Sequence, residues 1–155
     1  MKKKLNLEEV REFIINTSLS TKIYIGSDSA RFRKKDNSWF AEYCTVVVIH
    51  YDGKHGCKIF GQIESDRDYD QKKDRPRMRL MNEVIKTAQM YIDLEEAIGC
   101  REVEIHLDIN PNEKYGSSCV ISEAVGYIKG MCNVVPFVKP AAWAASCAAD
   151  RLLYS

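Results

Sequence analysis

The stretch REVEIHLDIN, residues 101–110, decides the fold class because apolar and polar side chains alternate along it. Its apolar side chains fall on every second position: Val103, Ile105, Leu107 and Ile109. Successive side chains of a β-strand point to opposite faces, so His106 and Asp108 share the other face. Pro111 follows closely and cannot donate to a sheet ladder. The pattern therefore predicts a half-buried strand that carries a carboxylate at its end.

A second stretch, KIYIGSDS at residues 22–29, has the same form. Ile23 and Ile25 take one face of the predicted strand, and Asp28 takes the other. If the two strands lie side by side and parallel, Asp28 and Asp108 become neighbours. Asp and Ser are also common where a strand simply turns, so this pair gains meaning only if further acids reach the same place.

Hydrophobic periodicity predicts the other elements of the chain. The predicted helices are a short one at about 6–16 that Asn6 caps, a long one at about 78–98 that stops at Gly99, one that Ser117 or Ser118 caps, and an Ala-rich one after Pro140. The predicted strands are 22–28, 39–51, 57–63, 101–110 and 133–138, and the turn at 52–56 joins the second to the third. A three-strand antiparallel meander followed by alternating helices and strands predicts an α/β protein with a five-stranded mixed sheet. A chain of 155 residues is expected to form a single domain, 1–155.

Two charged segments are predicted to be loops: RFRKKDNS at 31–38 and ESDRDYDQKKDRPRMR at 64–79. The second is either a solvated loop or a lip that contacts substrate through three arginines: Arg75, Arg77 and Arg79. Three aromatic residues flank the first loop: Phe32, Trp39 and Phe40. Aromatic rings stack on unpaired bases in many nucleic-acid-binding proteins, but we favour the interpretation that these three cover the core.

The composition limits the partners and the location of the protein. The net charge is +1, so no global basic field exists and nucleic acid would have to bind a local patch. No run of residues approaches the roughly 18 apolar residues of a membrane span. The six cysteines include no C-x-x-C pair, which favours buried free thiols over a zinc site or disulfides. These features predict a cytoplasmic protein with no membrane partner, and a homodimer through the edge of the third strand is left open.

Two further acids fall on predicted helices. Glu83 lies on the flank of the apolar arc of the long helix, and Asp150 shares a stripe of the last helix with Trp143 and Ser146. Taken singly, each acid is more often a cap or a surface residue. Clustered carboxylates repel one another and need a cation, and hard oxygen ligands with few His or Cys select Mg²⁺ or Mn²⁺ over zinc. The joint pattern therefore points to a divalent-metal site.

The element order, with acids at these places, resembles the ribonuclease H fold. The chain is similar over nearly its whole length to the YkuK-type family of ribonuclease-H-like proteins. The stretches that carry the resemblance are YIGSDS (24–29), RLMNEV (79–84), HLDINPNEKYGSS (106–118) and KPAAWAASCAADRL (139–152). The AAD on the last helix also resembles RuvC-type resolvases, whose closing acid lies on a helix. The resemblance implies four metal-binding and catalytic acids: Asp28, Glu83, Asp108 and Asp150.

The function that the resemblance implies is a nuclease that hydrolyses phosphodiester bonds by a two-metal mechanism with Mg²⁺ or Mn²⁺. Its partner would be RNA, an RNA/DNA hybrid or structured DNA. Four residues are expected to contact this substrate: Ser29, Arg79, Asn110 and Lys139. Lys139 is equally well explained as a surface lysine, and His106 is more simply a packed core histidine than a ligand. The alternative, which the near-zero net charge favours, is a non-catalytic ribonuclease H-fold module that binds nucleic acid or a protein.

Overall fold

The structure is a computed structural model that describes residues 3–51, 56–70, 76–112, 118 and 120–144. In this part of the chain the elements are α1 (Leu7–Ile15), β1 (Lys22–Arg33), β2 (Trp39–His50), β3 (Cys57–Arg67), α2 (Arg77–Ile98), β4 (Glu102–Leu107) and α3 (Ile121–Cys132). The predicted α/β class is confirmed, with strands first in a meander and then alternating with helices.

The four strands form one mixed, open sheet in the order β3–β2–β1–β4. β1 pairs antiparallel with β2 over twelve residue pairs without a bulge, and β2 pairs antiparallel with β3. β1 pairs in parallel with β4, in a register that sets Ile25 opposite Ile105 and Ser27 opposite Leu107. The parallel alignment that the acid pattern requires is therefore present.

The predicted fifth strand at 133–138 is wrong in the described part of the chain, which contains four strands. Phe137 makes a single parallel bridge with His106, and its N–H and carbonyl bond to Ile105 and Leu107 at 2.8 Å each. A continuing parallel ladder would take the N–H of Lys139 to the carbonyl of Leu107, but this N–H bonds instead to Ile109 at 3.0 Å. The register slips after one bridge, so the segment lies along β4 without forming a strand.

The first and third strands run further than the sequence predicts. Residues 31–33 and 64–67, which we expected in loops, continue β1 and β3. The charge of Arg31 is paired rather than simply solvated: its guanidinium lies 2.6 Å from the carboxylate of Asp68 and donates to the carbonyl of Asp70 at 2.8 Å. As a result, the β1–β2 hairpin extends past the end of β4.

The core lies between the sheet and the helices. α2 buries Val84, Leu94 and other apolar residues against the face of the sheet that carries Ile23 and Ile25. The carboxylate of Asp70 accepts from the backbone N–H groups of Met78 and Arg79 at 3.0 and 2.9 Å, which fixes the N-terminus of α2. The other end of α2 is also as predicted: the helix stops at Gly99, where φ is 55°.

The remaining predictions about the helices have mixed outcomes. Asn6 caps α1, accepting from the N–H groups of Glu8 and Glu9. α3 begins at Ile121, after the predicted caps, and Val120 at its start makes no side-chain cap. Ser117 and the last predicted helix from residue 145 onward lie outside the described residues.

Two expectations about the surface are modified by the structure. Among the described cysteines, Cys44 and Cys132 are buried, but Cys57 and Cys100 are exposed, contrary to prediction. β3 is an edge strand as expected, yet Lys3 bonds to Ile63 at 3.0 and 2.9 Å and covers part of that edge, which leaves less of it for a second copy. No helix in the described part of the chain is long and apolar enough to cross a membrane.

Candidate functional site

Three of the four predicted acids converge at one place. Asp28 and Asp108 lie just past the last paired residues of the parallel β1–β4 ladder, and Glu83 reaches them from the second turn of α2. One carboxylate oxygen of each residue lies within 4.8 Å of the others. The fourth predicted acid, Asp150, lies outside the described residues.

Glu83 is the most confined of the three acids, with only 4% of its surface exposed. Its Oε2 accepts a hydrogen bond of 2.9 Å from the Ser29 hydroxyl. Its Oε1 is buried and has no hydrogen-bond partner among the described residues. Burial, reinforced by the negative charges of Asp28 and Asp108, raises the pKa of Glu83 well above its ordinary value, against the opposing effects of Ser29 and Arg79. Oε1 of Glu83 therefore needs a cation or a proton as its partner.

A set of polar contacts holds Glu83 in position. Arg79, one turn earlier on α2, donates to the hydroxyl oxygen of Ser29 at 2.8 Å. One turn later, the hydroxyl of Thr87 lies 2.8 Å from that of Ser27, which lies 3.0 Å from that of Thr45. All three of these hydroxyl residues are buried. They tie α2 to β1 and β2 directly beside the acids, so the helix cannot slide without breaking buried hydrogen bonds.

A cation from the chain itself approaches the acids. The ammonium of Lys139 lies 2.7 Å from Oδ1 of Asp108. Burial disfavours the charged form of Lys139, but the hydrogen bond and charge of Asp108, together with the charges of Asp28 and Glu83, outweigh it and raise the pKa of this lysine. Lys139 therefore neutralises part of the charge of the cluster.

The other predicted site residues differ in what they contact. Ser29 and Arg79 support Glu83, and their contact with substrate stays a prediction. The side chain of Asn110 accepts from the N–H of Asn112 at 2.9 Å in the loop after β4. Arg77 pairs with Glu123 on the surface. Arg75 lies outside the described residues.

His106 is a packed interior residue. It is fully buried, and its ring contacts Tyr24, Phe137 and Trp143 edge-on. Its Nδ1 accepts from the N–H of Ala144 and its Nε2 lies 3.0 Å from Glu104, so both ring nitrogens are used within the protein. Burial lowers its pKa, against the effect of Glu104. These contacts fix His106 in the interior, two residues before Asp108.

Sequence reasoning missed how the acids are supported. The hydrogen bond of Ser29 to Glu83 joins residues 54 positions apart, and the bond between Thr87 and Ser27 spans 60. Neither has a local sequence signal. The pairing of Lys139 with Asp108 was also not predicted, although Lys139 itself was singled out.

A family model described as Ribonuclease H-like matches residues 6–153. The comparison with curated proteins gave no match, and neither did the comparison with solved structures. Since the matched region covers nearly the whole chain, this protein belongs to the ribonuclease H-like family.

Replacing Glu83 by Gln is expected to stabilise the metal-free protein at neutral pH. Because the folded-state pKa of Glu83 is raised, the native state keeps a proton that the unfolded state has lost. The contribution to stability is present below the ordinary value of 4.5 and is lost as the pH rises through the folded-state pKa. Thermal melts in EDTA should therefore show a gain in Tm for Glu83→Gln that grows from about pH 4 to about pH 8, by about 2–4 °C for each kcal/mol relieved.

The matched control is Glu95→Gln, which removes an exposed carboxylate from the same helix. At neutral pH, Glu83→Gln should gain more in Tm than this control does. A Glu83→Gln difference in Tm that does not grow with pH would show that the pKa of Glu83 is not raised in the folded protein.

Proposed function

We propose that the protein is a nuclease that hydrolyses phosphodiester bonds with the help of Mg²⁺ or Mn²⁺. The substrate would be RNA, an RNA/DNA hybrid or structured DNA, in keeping with the ribonuclease H-like family. Asp28, Glu83 and Asp108 are the acids that we assign to the metal site, with Asp150 as the fourth.

The observation that carries the proposal is the unpartnered Oε1 of Glu83 within a group of three carboxylates. A buried carboxylate oxygen without a donor is costly, and each further negative charge nearby adds to that cost. Here one oxygen from each of three carboxylates lies within 4.8 Å of the others. A divalent cation relieves both costs at once.

The donor set fits the proposed ion. Carboxylate oxygens are the hard ligands that Mg²⁺ and Mn²⁺ prefer, and none of the three members is a cysteine or a histidine. When bound, a pair of such ions supplies a Lewis acid for the phosphodiester and a water of lowered pKa. In this assignment Asp28 and Asp108 would hold the ions, and Glu83 would complete the ligand set and help to orient the attacking water.

The polar residues around the acids would orient the substrate. Lys139, half-exposed beside Asp108, would pair with a phosphate when Asp108 is engaged elsewhere. Ser29 and Arg79 fix the rotamer of Glu83, which keeps the acid in place when the charge of the site changes. Asn110 lies in the loop after β4, two residues beyond Asp108.

A second candidate function is a non-catalytic module that binds nucleic acid or a protein. The observation in its favour is the ion pair between Lys139 and Asp108, since an internal ammonium can replace a metal ion in balancing the acids. The two functions differ in what Mn²⁺ does: the nuclease requires it, and the module does not.

Cleavage of a panel of labelled substrates tests the nuclease directly. The panel consists of single-stranded RNA, an RNA/DNA hybrid and branched DNA, each with Mg²⁺ or Mn²⁺. We expect cleavage of at least one substrate, abolition by EDTA, and a loss of at least about a hundredfold for Asp28→Asn and for Glu83→Gln, because each removes a charge that holds the ions.

Asp93→Asn is the control, since it removes a carboxylate from α2 away from the three acids. Full cleavage by this variant would show that the losses are specific to the site. Cleavage that survives both Asp28→Asn and Glu83→Gln would contradict the proposal.

The exchange of Lys139 for a metal ion gives a separate prediction. Lys139→Met removes the cation that competes for Asp108, so the cluster becomes more negative and should bind Mn²⁺ more tightly than the wild type does. Isothermal titration calorimetry with MnCl₂ measures both affinities. Weaker binding by Lys139→Met would show that the lysine supports the metal site, and no binding by either protein would favour the non-catalytic module.

A further inference from the structure

The far end of the β1–β2 hairpin carries a row of aromatic and basic side chains across three strands. Phe32 lies directly opposite Phe40, and Phe40 lies directly opposite Arg67. The two rings stack at 6.0 Å between centroids and 29° between planes. The ammonium of Lys34 lies 3.6 Å from the centroid of Phe40. We call Phe32, Lys34, Phe40 and Arg67 the hairpin patch.

The hairpin patch lies on the same face of the sheet as Asp28. Directly opposite residues of an antiparallel pair share a face, and every second residue along a strand does so too. The β1–β2 register runs without a bulge from Asp28 opposite Cys44 to Phe32 opposite Phe40. Phe32 lies four positions beyond Asp28 on β1, a distance of about 13 Å. A stacked nucleic-acid strand covers that distance with about four nucleotides.

The rings of the hairpin patch lie outside the core that the described residues form. Among the described residues, neither Phe32 nor Phe40 belongs to a buried hydrophobic cluster or packs against one, contrary to the interpretation that we favoured from the sequence. Both rings stay partly exposed, and the side chains of Lys34 and Arg67 are exposed. Two large apolar rings kept at the surface between two cations suit a ligand that has both flat apolar faces and negative charge.

The turn of the hairpin holds the hairpin patch in a fixed shape. Lys34 donates its N–H to Ser38 at 2.9 Å, and Asn37 adopts a positive φ of 68°. The Asp36 carboxylate accepts from both the N–H and the hydroxyl of Ser38, at 3.0 and 2.5 Å. The opposite face of the hairpin is occupied differently, because the guanidinium of Arg31 lies 4.2 Å from the ring of Trp39 while it pairs with Asp68. The two faces of the hairpin therefore make different contacts.

We propose that the hairpin patch binds unpaired nucleotides of the substrate strand, with bases on Phe32 and Phe40 and phosphates at Lys34 and Arg67. In the free protein, the Lys34 ammonium covers Phe40. A nucleotide supplies a base for the ring and a phosphate for the ammonium, so it replaces both partners of that contact. This inference rests on the proposed function, because only a nuclease gives the bound strand the role of a substrate. It adds that the strand to be cut is single-stranded on the side of the hairpin.

Binding without cleavage tests this inference independently of the nuclease. A fluorescein-labelled single-stranded oligouridylate of about 12 nucleotides is titrated with the wild-type protein in EDTA, and fluorescence anisotropy gives Kd. We expect the single strand to bind more tightly than a blunt duplex of the same length. Phe40→Leu and Phe32→Leu keep an apolar side chain but lose the ring, and each should weaken binding by between about fivefold and a hundredfold.

The salt dependence isolates the phosphate contacts. Lys34→Gln and Arg67→Gln should each reduce the slope of log K against log salt by about 0.7. Lys58→Gln removes an exposed charge from the other end of β3 and should leave the slope unchanged. Trp39→Leu changes a ring on the opposite face of the same hairpin and should leave Kd unchanged. Melting temperatures of all variants show whether each remains folded.

Each result decides for or against the hairpin patch. Loss of binding in Phe40→Leu, with normal binding in Trp39→Leu, supports it whether or not the protein cleaves any substrate. Equal losses in Phe40→Leu and Trp39→Leu, duplex binding as tight as single-strand binding, or no binding by the wild type would overturn it. A protein that binds through the hairpin patch but never cleaves would refute the nuclease alone.

Discussion

The parallel pairing of β1 with β4 is the constraint on which the site depends. It brings together residues about eighty positions apart in the sequence and sets Ser27 opposite Leu107, so that the next residue on each strand is an aspartate. A shift of one residue in this register would turn one aspartate to the other face of the sheet. The register is fixed by burial, since Ile25 and Ile105 are both fully enclosed by the core. Packing thus determines where two negative charges meet.

The rest of the site responds to the repulsion that this pairing creates. Glu83 adds a third carboxylate from α2, and the helix is held against the sheet by Asp70 at its start and by Thr87 beside Ser27. The chain balances the charge in two ways: the raised pKa of Glu83 favours its protonated form, and Lys139 pairs with Asp108. In the proposed function a divalent cation would replace both, since a proton and an ammonium group can each be displaced from a carboxylate.

The sequence was sufficient for features that repeat with a period, and insufficient for those that depend on distant contacts. Alternation at residues 101–110 and 22–29 located both aspartates and their common face, and the helical arc located Glu83. The ends of β1 and β3 were misplaced because charged residues such as Arg31 continue a strand when a partner such as Asp68 neutralises them. The single bridge at Phe137 was mistaken for a strand because a slip of register leaves no trace in hydrophobicity.

We propose that Asp28, Glu83 and Asp108 together hold a divalent cation, and anomalous diffraction from a crystal soaked in MnCl₂ would locate that cation. We expect a manganese peak with oxygens of these carboxylates at about 2.0–2.3 Å, Oε1 of Glu83 among them, and the ammonium of Lys139 withdrawn from Asp108. A crystal that shows no peak there, with Lys139 still paired to Asp108 at saturating Mn²⁺, would contradict it.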